Sequence, residues 1–329
     1  SINFGVGYAQ GQGIILNGGI SQSNLFGSGK SASLSASTSA LNQSVSLSFT
    51  DPYYLANGTS LGYDIYDNNY TPNNVGISPY STQTIGARVR TSVPVSEFDR
   101  INVSLGLENN QISVNSNTAP LRFVQFTNQY GNSVNAIPLT VSWARNTTDN
   151  TLWPTSGANY SQSFTVTAPG VGAQYYKFLS TDAWYFPLSD SFTWKTNGEL
   201  GFINAYGDNQ QVPFYQNFIE GGPGSIRGYY IGSIGPKDTD GSSLGGTRWA
   251  MLSNNLLFPL PGIKDTKSVR MSLFYDIGTL YGGTPFNLTP EQMGLASYGV
   301  GMLLVSPMGP IQVGYAIPMF DQPHDNIQS

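Results

Sequence analysis

Long stretches of this chain alternate apolar and polar residues with a period of two. Residues 44–50 place Val45, Leu47 and Phe49 on one face and Ser44, Ser46, Ser48 and Thr50 on the other. Residues 101–110 set Ile101, Val103, Leu105 and Leu107 against Asn102, Ser104, Gly106, Glu108 and Asn110. Residues 270–278 set Met271, Leu273, Tyr275 and Ile277 against Arg270, Ser272 and Asp276, with Phe274 as the exception. Ile311, Val313, Tyr315 and Ile317 alternate with Gln312, Gly314 and Ala316. Successive side chains leave a strand on opposite faces, so this is the strand period. About fifteen segments share it, near 2–9, 13–23, 30–39, 42–53, 58–69, 80–93, 99–114, 134–147, 158–168, 173–186, 191–207, 246–258, 267–280, 292–305 and 310–319.

Alternation alone fits a soluble sandwich whose polar face meets water. Here the polar faces are Ser, Thr, Asn, Gln and Gly, and only 10% of the 329 residues are charged, against about 25% in soluble domains. Many segments exceed ten residues, whereas globular strands run about five or six. A tilted transmembrane strand needs about 9–11. Mean hydropathy is -0.18, and no run approaches the roughly 20 apolar residues of a spanning helix. Within lipid, only a closed barrel satisfies the backbone of a sheet. Aromatic residues gather near strand ends, at Tyr53 and Tyr54, Tyr175 and Tyr176, and Tyr185 and Phe186, as interfacial girdles do. The expected fold is all-β, a transmembrane antiparallel barrel.

The connections alternate in length. Short turns carry Pro52, Pro94, Pro154, Pro187, Pro259 and Pro307, and the turn at 24–29 lacks the proline. Proline cannot donate to a ladder, so it belongs at strand ends. Between the short turns fall longer connections at 70–79, 115–133, 208–245 and 281–291. Short turns on one rim and long loops on the other are the outer-membrane pattern. One domain over 1–329 is expected, with the 208–245 connection folded toward the lumen. That connection holds Gly221, Gly222 and Gly224 and then one cation, Arg227, before Gly228, Tyr229 and Tyr230. Glycine-rich and aromatic texture with a single charge suits a loop folded back with its arginine paired. An ordinary glycine-rich surface loop is the alternative.

Other chemistries find little support. A net charge of −5 argues against nucleic acid as the main partner. The absence of cysteine removes disulfides and thiolate metal sites. The single histidine, His324, falls outside the strand segments, where a general base would have to be positioned. Residues 27–31 resemble the end of a phosphate-binding loop, but Asn24 stands where its first glycine belongs and a strand follows instead of a helix. Asp64, Asp67, Glu108 and Asp276 are scattered without metal-ligand spacing. No cofactor or metal is expected.

Ile226, Arg227, Gly228 and Tyr229, followed by Ile234, Gly235, Pro236 and Lys237, resemble the sixth extracellular loop of the BamA family. That family comprises the central barrel subunits of the outer-membrane β-barrel assembly machinery. The likeness extends through Pro213, Phe214, Tyr215, Gln216, Asn217 and Phe218, and through 273–279 and 305–310. At the start, 4–8 and 24–29 resemble the family's first strands, so nearly the whole chain is covered. The second loop motif favours this family over the two-partner secretion transporters and the autotransporter-assembly relative. Family members carry POTRA repeats before a 16-stranded barrel. This sequence opens at Ser1 without them and stops at 325–329, where the sixteenth strand should begin. With no signal peptide at Ser1, a mature product or a fragment is expected. In the family, two acidic residues on adjacent strands hold the loop arginine in the lumen. Asp276 fits one role, and the other falls on the neutral Asn255.

The resemblance implies a bacterial outer-membrane barrel that inserts and folds other barrel proteins without covalent chemistry. Its partners would be outer-membrane lipids, unfolded outer-membrane proteins, and assembly lipoproteins reached mainly through POTRA repeats. The implied mechanism opens a seam between the first and last strands, where a free edge templates an incoming strand and the bilayer is locally thinned. In the seam strand, Ile2, Phe4, Val6 and Tyr8 would face lipid and Asn3, Gly5 and Gly7 the lumen. The glycines weaken the edge, or simply relieve crowding in a curved wall. Strands 2–8 and 311–317 would both start at the short-turn rim, so no full-length ladder between them is expected. A porin or secretion pore is the rival function, with Arg227 lining a constriction. A soluble β-solenoid is the third reading.

Overall fold

A computed structural model describes residues 1–207, 211–238, 241–260, 262, 269–282, 295–306 and 309–320. The turn at Pro307 and Met308, most of the 281–291 connection and the chain end with His324 lie outside the described residues. In chain order the strands are β1 (Ile2–Ala9), β2 (Gly13–Gln22), β3 (Ser31–Thr38), β4 (Asn42–Asp51), β5 (Ser60–Tyr70), β6 (Tyr80–Pro94), β7 (Asp99–Val114) and β8 (Ser133–Ala136). They continue with β9 (Pro138–Asn146), β10 (Gly157–Thr167), β11 (Tyr175–Pro187), β12 (Thr193–Ala205), β13 (Arg248–Pro259), β14 (Val269–Tyr281), β15 (Leu295–Ser306) and β16 (Gly309–Pro318). All lie in one 16-stranded sheet that follows chain order from β1 to β16, with β8 beside the path on β7. The all-β antiparallel reading therefore holds.

The segment near 134–147 is two strands, not one. β8 pairs with β7 from Gln111↔Ser133 to Glu108↔Ala136, and β9 pairs from Leu105↔Leu139 to Asp99↔Arg145, in one continuous register. The break falls at Ile137 and Pro138. Proline offers no N–H to the ladder, and its ring packs where Gly106 has no side chain: a Cβ there would stand 3.2 Å from Pro138 Cγ.

The pairing rows separate two faces. Ile2, Ile20, Leu34, Leu47 and Ile65 form one row across β1–β5, and all five are exposed. The neighbouring row on the other face is Asn3, Gly19, Ser35, Ser46 and Tyr66. An exposed apolar face with a small, polar inner face is the inside-out pattern of a barrel in lipid. No helix among the described residues is long and apolar enough to cross a membrane.

The lumen holds the buried core. The connection from β12 to β13 turns inward and touches wall on several sides. Lys177 Nζ on β11 donates to the Gln216 carbonyl at 2.9 Å. Across the lumen, the Ser78 hydroxyl donates to the Ser243 carbonyl at 2.8 Å, and Ser243 N–H donates to the Ile77 carbonyl. The 115–133 connection, expected as a plain loop, contains helix α1 (Leu121–Tyr130). Phe123 and Phe126 fall three residues apart on one helical face and are fully buried. Phe214 stacks on Phe123 with ring centroids 4.0 Å apart, and Tyr80 meets Phe214 edge-on at 5.0 Å. The sheet thus curls around a packed plug.

Phe214→Ala should remove about 3–5 kcal/mol of local packing. Amide exchange should accelerate across α1 and 211–220 while the β9–β12 ladders stay protected. Unchanged exchange in α1 would show that the aromatic cluster does not hold the plug.

Candidate functional site

Within the plug, residues 218–246 fold on themselves through bridges Phe218↔Gly246, Glu220↔Ile234 and Lys237↔Ser243. At the inner end, Ile226 and Tyr229 are fully buried, and Arg227 turns toward β13 and β14. Its Nε donates to Asp276 Oδ2 at 2.7 Å and its Nη2 to Asp276 Oδ1 at 2.6 Å. The backbone N–H of Arg227 also donates to Oδ2, at 3.2 Å. A two-pronged guanidinium–carboxylate pair is the strong form of this contact. Asp276 is 0% exposed, and the arginine side chain retains 17%. A buried charge pair needs further hydrogen bonds to offset its desolvation. They are present: Nη2 donates to Ser253 Oγ and Asn255 Oδ1, both at 3.0 Å, and Ser253 Oγ donates to Asp276 Oδ1 at 2.6 Å. Asn255 Nδ2 closes the network on Ser253 Oγ at 3.1 Å. One cation thus meets one carboxylate. An acid at position 255 would place a second negative charge there, whereas Asn255 supplies an acceptor without one.

Two members of this site escape motif reading. The Arg227 guanidinium carbon lies 3.5 Å from the centroid of the Phe274 ring, a cation–π contact. Phe274 is the residue that breaks the alternation of β14, so an aromatic on the luminal face was the available signal. Ser253 is the Cα partner of Asp276, and only the register brings it in. Two glycines make room. Gly228 adopts φ +90°, a region open to glycine at little cost. On β14, a Cβ at Gly278 would sit 2.9 Å from Ile226 Cδ1, so its absence is the socket for Ile226.

The seam residues lie beside this network. Among the described residues, β1 pairs with β2 alone and no ladder joins β1 to β16. Phe4, Val6 and Tyr8 are more than 60% exposed, while Asn3, Gly5 and Gly7 alternate with them. A cavity of about 660 Å³ separates the two edges, lined by Tyr8, Gln10, Arg227, Gly228, Phe274 and Tyr315 among others. Loop motif and seam strand therefore meet at one place. Deeper in the plug, burial pushes the Glu220 carboxyl up to about 8; nearby Glu199 adds to the rise, and Ser225 and Lys177 oppose it.

Residues 24–329 match the Omp85 superfamily domain. Over its full length the chain is 40% identical to the outer membrane protein assembly factor BamA of Neisseria meningitidis serogroup B, covering 46% of that protein. It thus spans about half the length of this curated relative. The crystal structure of BamA from Haemophilus ducreyi lacking POTRA domains 1–3 superposes on 100% of this chain and 68% of its own, with a TM-score of 0.92 and 30% identity. CdiB from Escherichia coli shares the fold, with a TM-score of 0.66 and 16% identity over 99% of this chain and 60% of its own.

Breaking a buried pair by removing one partner costs about 3–5 kcal/mol. Arg227→Ala should therefore speed amide exchange at 226–230 by about two to four orders of magnitude. Lys237→Ala serves as the comparison and should leave those amides slow. Equal exchange in both would sink the clamp.

Loop docking should also depend on pH. The docked Glu220 keeps its proton to about 8, and an undocked glutamate loses it near 4.3. The docked loop binds the extra proton in that window, so the Glu220 contribution to docking weakens as pH rises from about 4.3 to 8. Glu220→Gln should abolish this dependence in pH-resolved exchange of 218–234; a retained slope would assign it elsewhere.

Proposed function

This chain belongs to the Omp85 superfamily, and we propose that it inserts and folds β-barrel proteins by offering the free edge of β1 to an incoming strand. It is a β-barrel of the bacterial outer membrane. The observation that carries the proposal is the one-sided pairing of β1 among the described residues. An unpaired edge presents a row of N–H and C=O groups that another chain can complete. In lipid those groups have no water to satisfy them, so a donor strand is stabilised there more than in solution. The Neisseria relative is named as an assembly factor, which agrees with this use of the edge.

The work is physical and needs no catalytic group. Unfolded outer-membrane proteins are the substrates, the surrounding lipids the solvent, and assembly lipoproteins the partners. Arg227 and Asp276 position the loop beside the seam, with Asn255 as a neutral second contact. A pore function fits less well, because the connection from β12 to β13 occupies the lumen and anchors on walls far apart in the sheet.

Single cysteines along 2–8 should crosslink to a strand of a stalled substrate, and cysteines along 101–108 should not. Crosslinks spread evenly around the barrel, or a steady large conductance in planar bilayers, would overturn edge templating in favour of transport.

A further inference from the structure

The chain is acidic overall, with net charge −5, yet the mouth of its lumen at the short-turn rim is basic. Arg90 on β6 and Arg100 on β7 occupy luminal positions there, with Arg88 at the next luminal position inward. The alternate residues Val89, Ile101 and Leu105 carry the exposed apolar face. Four to seven strands further round the sheet, Lys195 on β12 and Arg270 on β14 point inward from the same end. The 147–156 turn meets Arg270, which donates to the Pro154 carbonyl at 3.0 Å and lies 5.2 Å from the Trp153 ring centroid, and Lys195 lies within its electrostatic reach.

The carboxylates at this level do not cancel the cations. Asp64 is shared: Arg88 Nε and Nη2 and Arg90 Nε all donate to it at 3.0–3.2 Å. Arg90 Nη2 donates to Thr50 Oγ1 at 2.7 Å. One buried carboxylate between two guanidinium groups leaves a net positive charge. Both arginines remain more than a third exposed. Asp149, on the 147–156 turn, accepts from Thr155 and Ser156 at 2.6–3.0 Å and acts electrostatically on Arg270, so on that side the net positive charge comes from Lys195. Glu97 and Asp190 sit on exposed turn tips. Arg100 is exposed, and none of the hydrogen bonds or ion pairs seen among the described residues uses it.

We propose that this mouth binds an acidic, extended polypeptide segment. The cations are spread along an arc of wall and do not converge on one point, so they match charges distributed along a chain. Between them the wall offers Asn102, Ser104, Ser142 and Ser161, which can hydrogen-bond a peptide backbone. The site faces the aqueous interior, where headgroups of the surrounding bilayer do not reach. Clustered charge at a low-dielectric mouth raises the local concentration of an oppositely charged ligand. The inference stands apart from edge templating.

The test uses the purified barrel in zwitterionic nanodiscs and a peptide of alternating Asp and Ser carrying an uncharged dye. Fluorescence anisotropy should show binding of this peptide and none of its Asn-for-Asp counterpart. The double variant Arg100→Gln, Lys195→Gln should weaken affinity about tenfold, and Arg100→Lys should retain it. Raising salt until the screening length falls below about 5 Å should release the peptide. Equal binding of the neutral peptide, or full affinity in the double variant, would overturn the proposal. Displacement by inorganic phosphate at peptide-like concentrations would replace it with a small-anion site. Because no substrate assembly is read, a failure here leaves the β1 edge reading intact.

Discussion

Every backbone N–H and C=O inside a bilayer must find a partner in the protein, and the rest of this structure follows from that demand. From β1 to β7 and from β9 to β16, each described pair is antiparallel with its neighbour. β1 and β16 therefore run in the same direction, and the pattern that joins all their neighbours cannot join them. The plug supports β16 from inside instead. Gly228 lies against Ala316 and Pro318, and the single proton of the Tyr229 hydroxyl is shared between the carbonyls of Ala296 and Phe320, at 3.2 and 2.9 Å. Ile231 meanwhile packs on Gly11 in the β1–β2 turn. One inserted segment touches both sides of the seam.

That support depends on where Arg227 is held. Ion pairs on a wet surface contribute little, but Asp276 is fully buried and accepts from two guanidinium nitrogens, one backbone N–H and one hydroxyl. The socket is specified by sheet register. Ser253 faces Asp276 and Asn255 faces Phe274 across the β13–β14 ladder. A slip of one residue in either strand would turn its two members toward lipid, so strand pairing and loop docking specify each other.

The sheet was legible because lipid on one side and a polar lumen on the other impose a period of two on every strand. The Pro138 break was not, since a proline inside an alternating segment also suits an edge or a bulge. Helix α1 was hidden by the loop-like composition of 115–133, although the spacing of Phe123, Phe126 and Tyr130 carries the helical period. Within the site, Arg227 stood out as a lone cation among glycines, and Asp276 as a carboxylate on an alternating strand. Phe274 was visible only as an irregularity, and Ser253 had no signal of its own, because a luminal serine is common in this wall. What sequence cannot supply is register between strands distant in the chain, and the cation–π and hydroxyl contacts arise from it.

The wall itself is uneven in what it would cost to move. The luminal face of β13 and β14 is fastened to the plug by the Arg227 network and by the Ile226–Gly278 contact. On β3 and β4 the luminal face is Ser33, Ser35 and Ser37 against Ser44, Ser46 and Ser48, and its cross-strand contacts are between hydroxyls, such as Ser35 to Ser46 at 2.8 Å. A neutral hydroxyl contact contributes about 1 kcal/mol net and is readily exchanged for water in an aqueous lumen. Displacing β1–β4 therefore sacrifices the Arg90–Thr50 hydrogen bond and the Gly11–Ile231 packing, whereas displacing β13 or β14 breaks a buried charge pair. Any opening of the seam should swing the β1 side and leave the β16 side fixed to the loop. The strand with the exposed edge is then also the strand held by the fewest contacts to the plug.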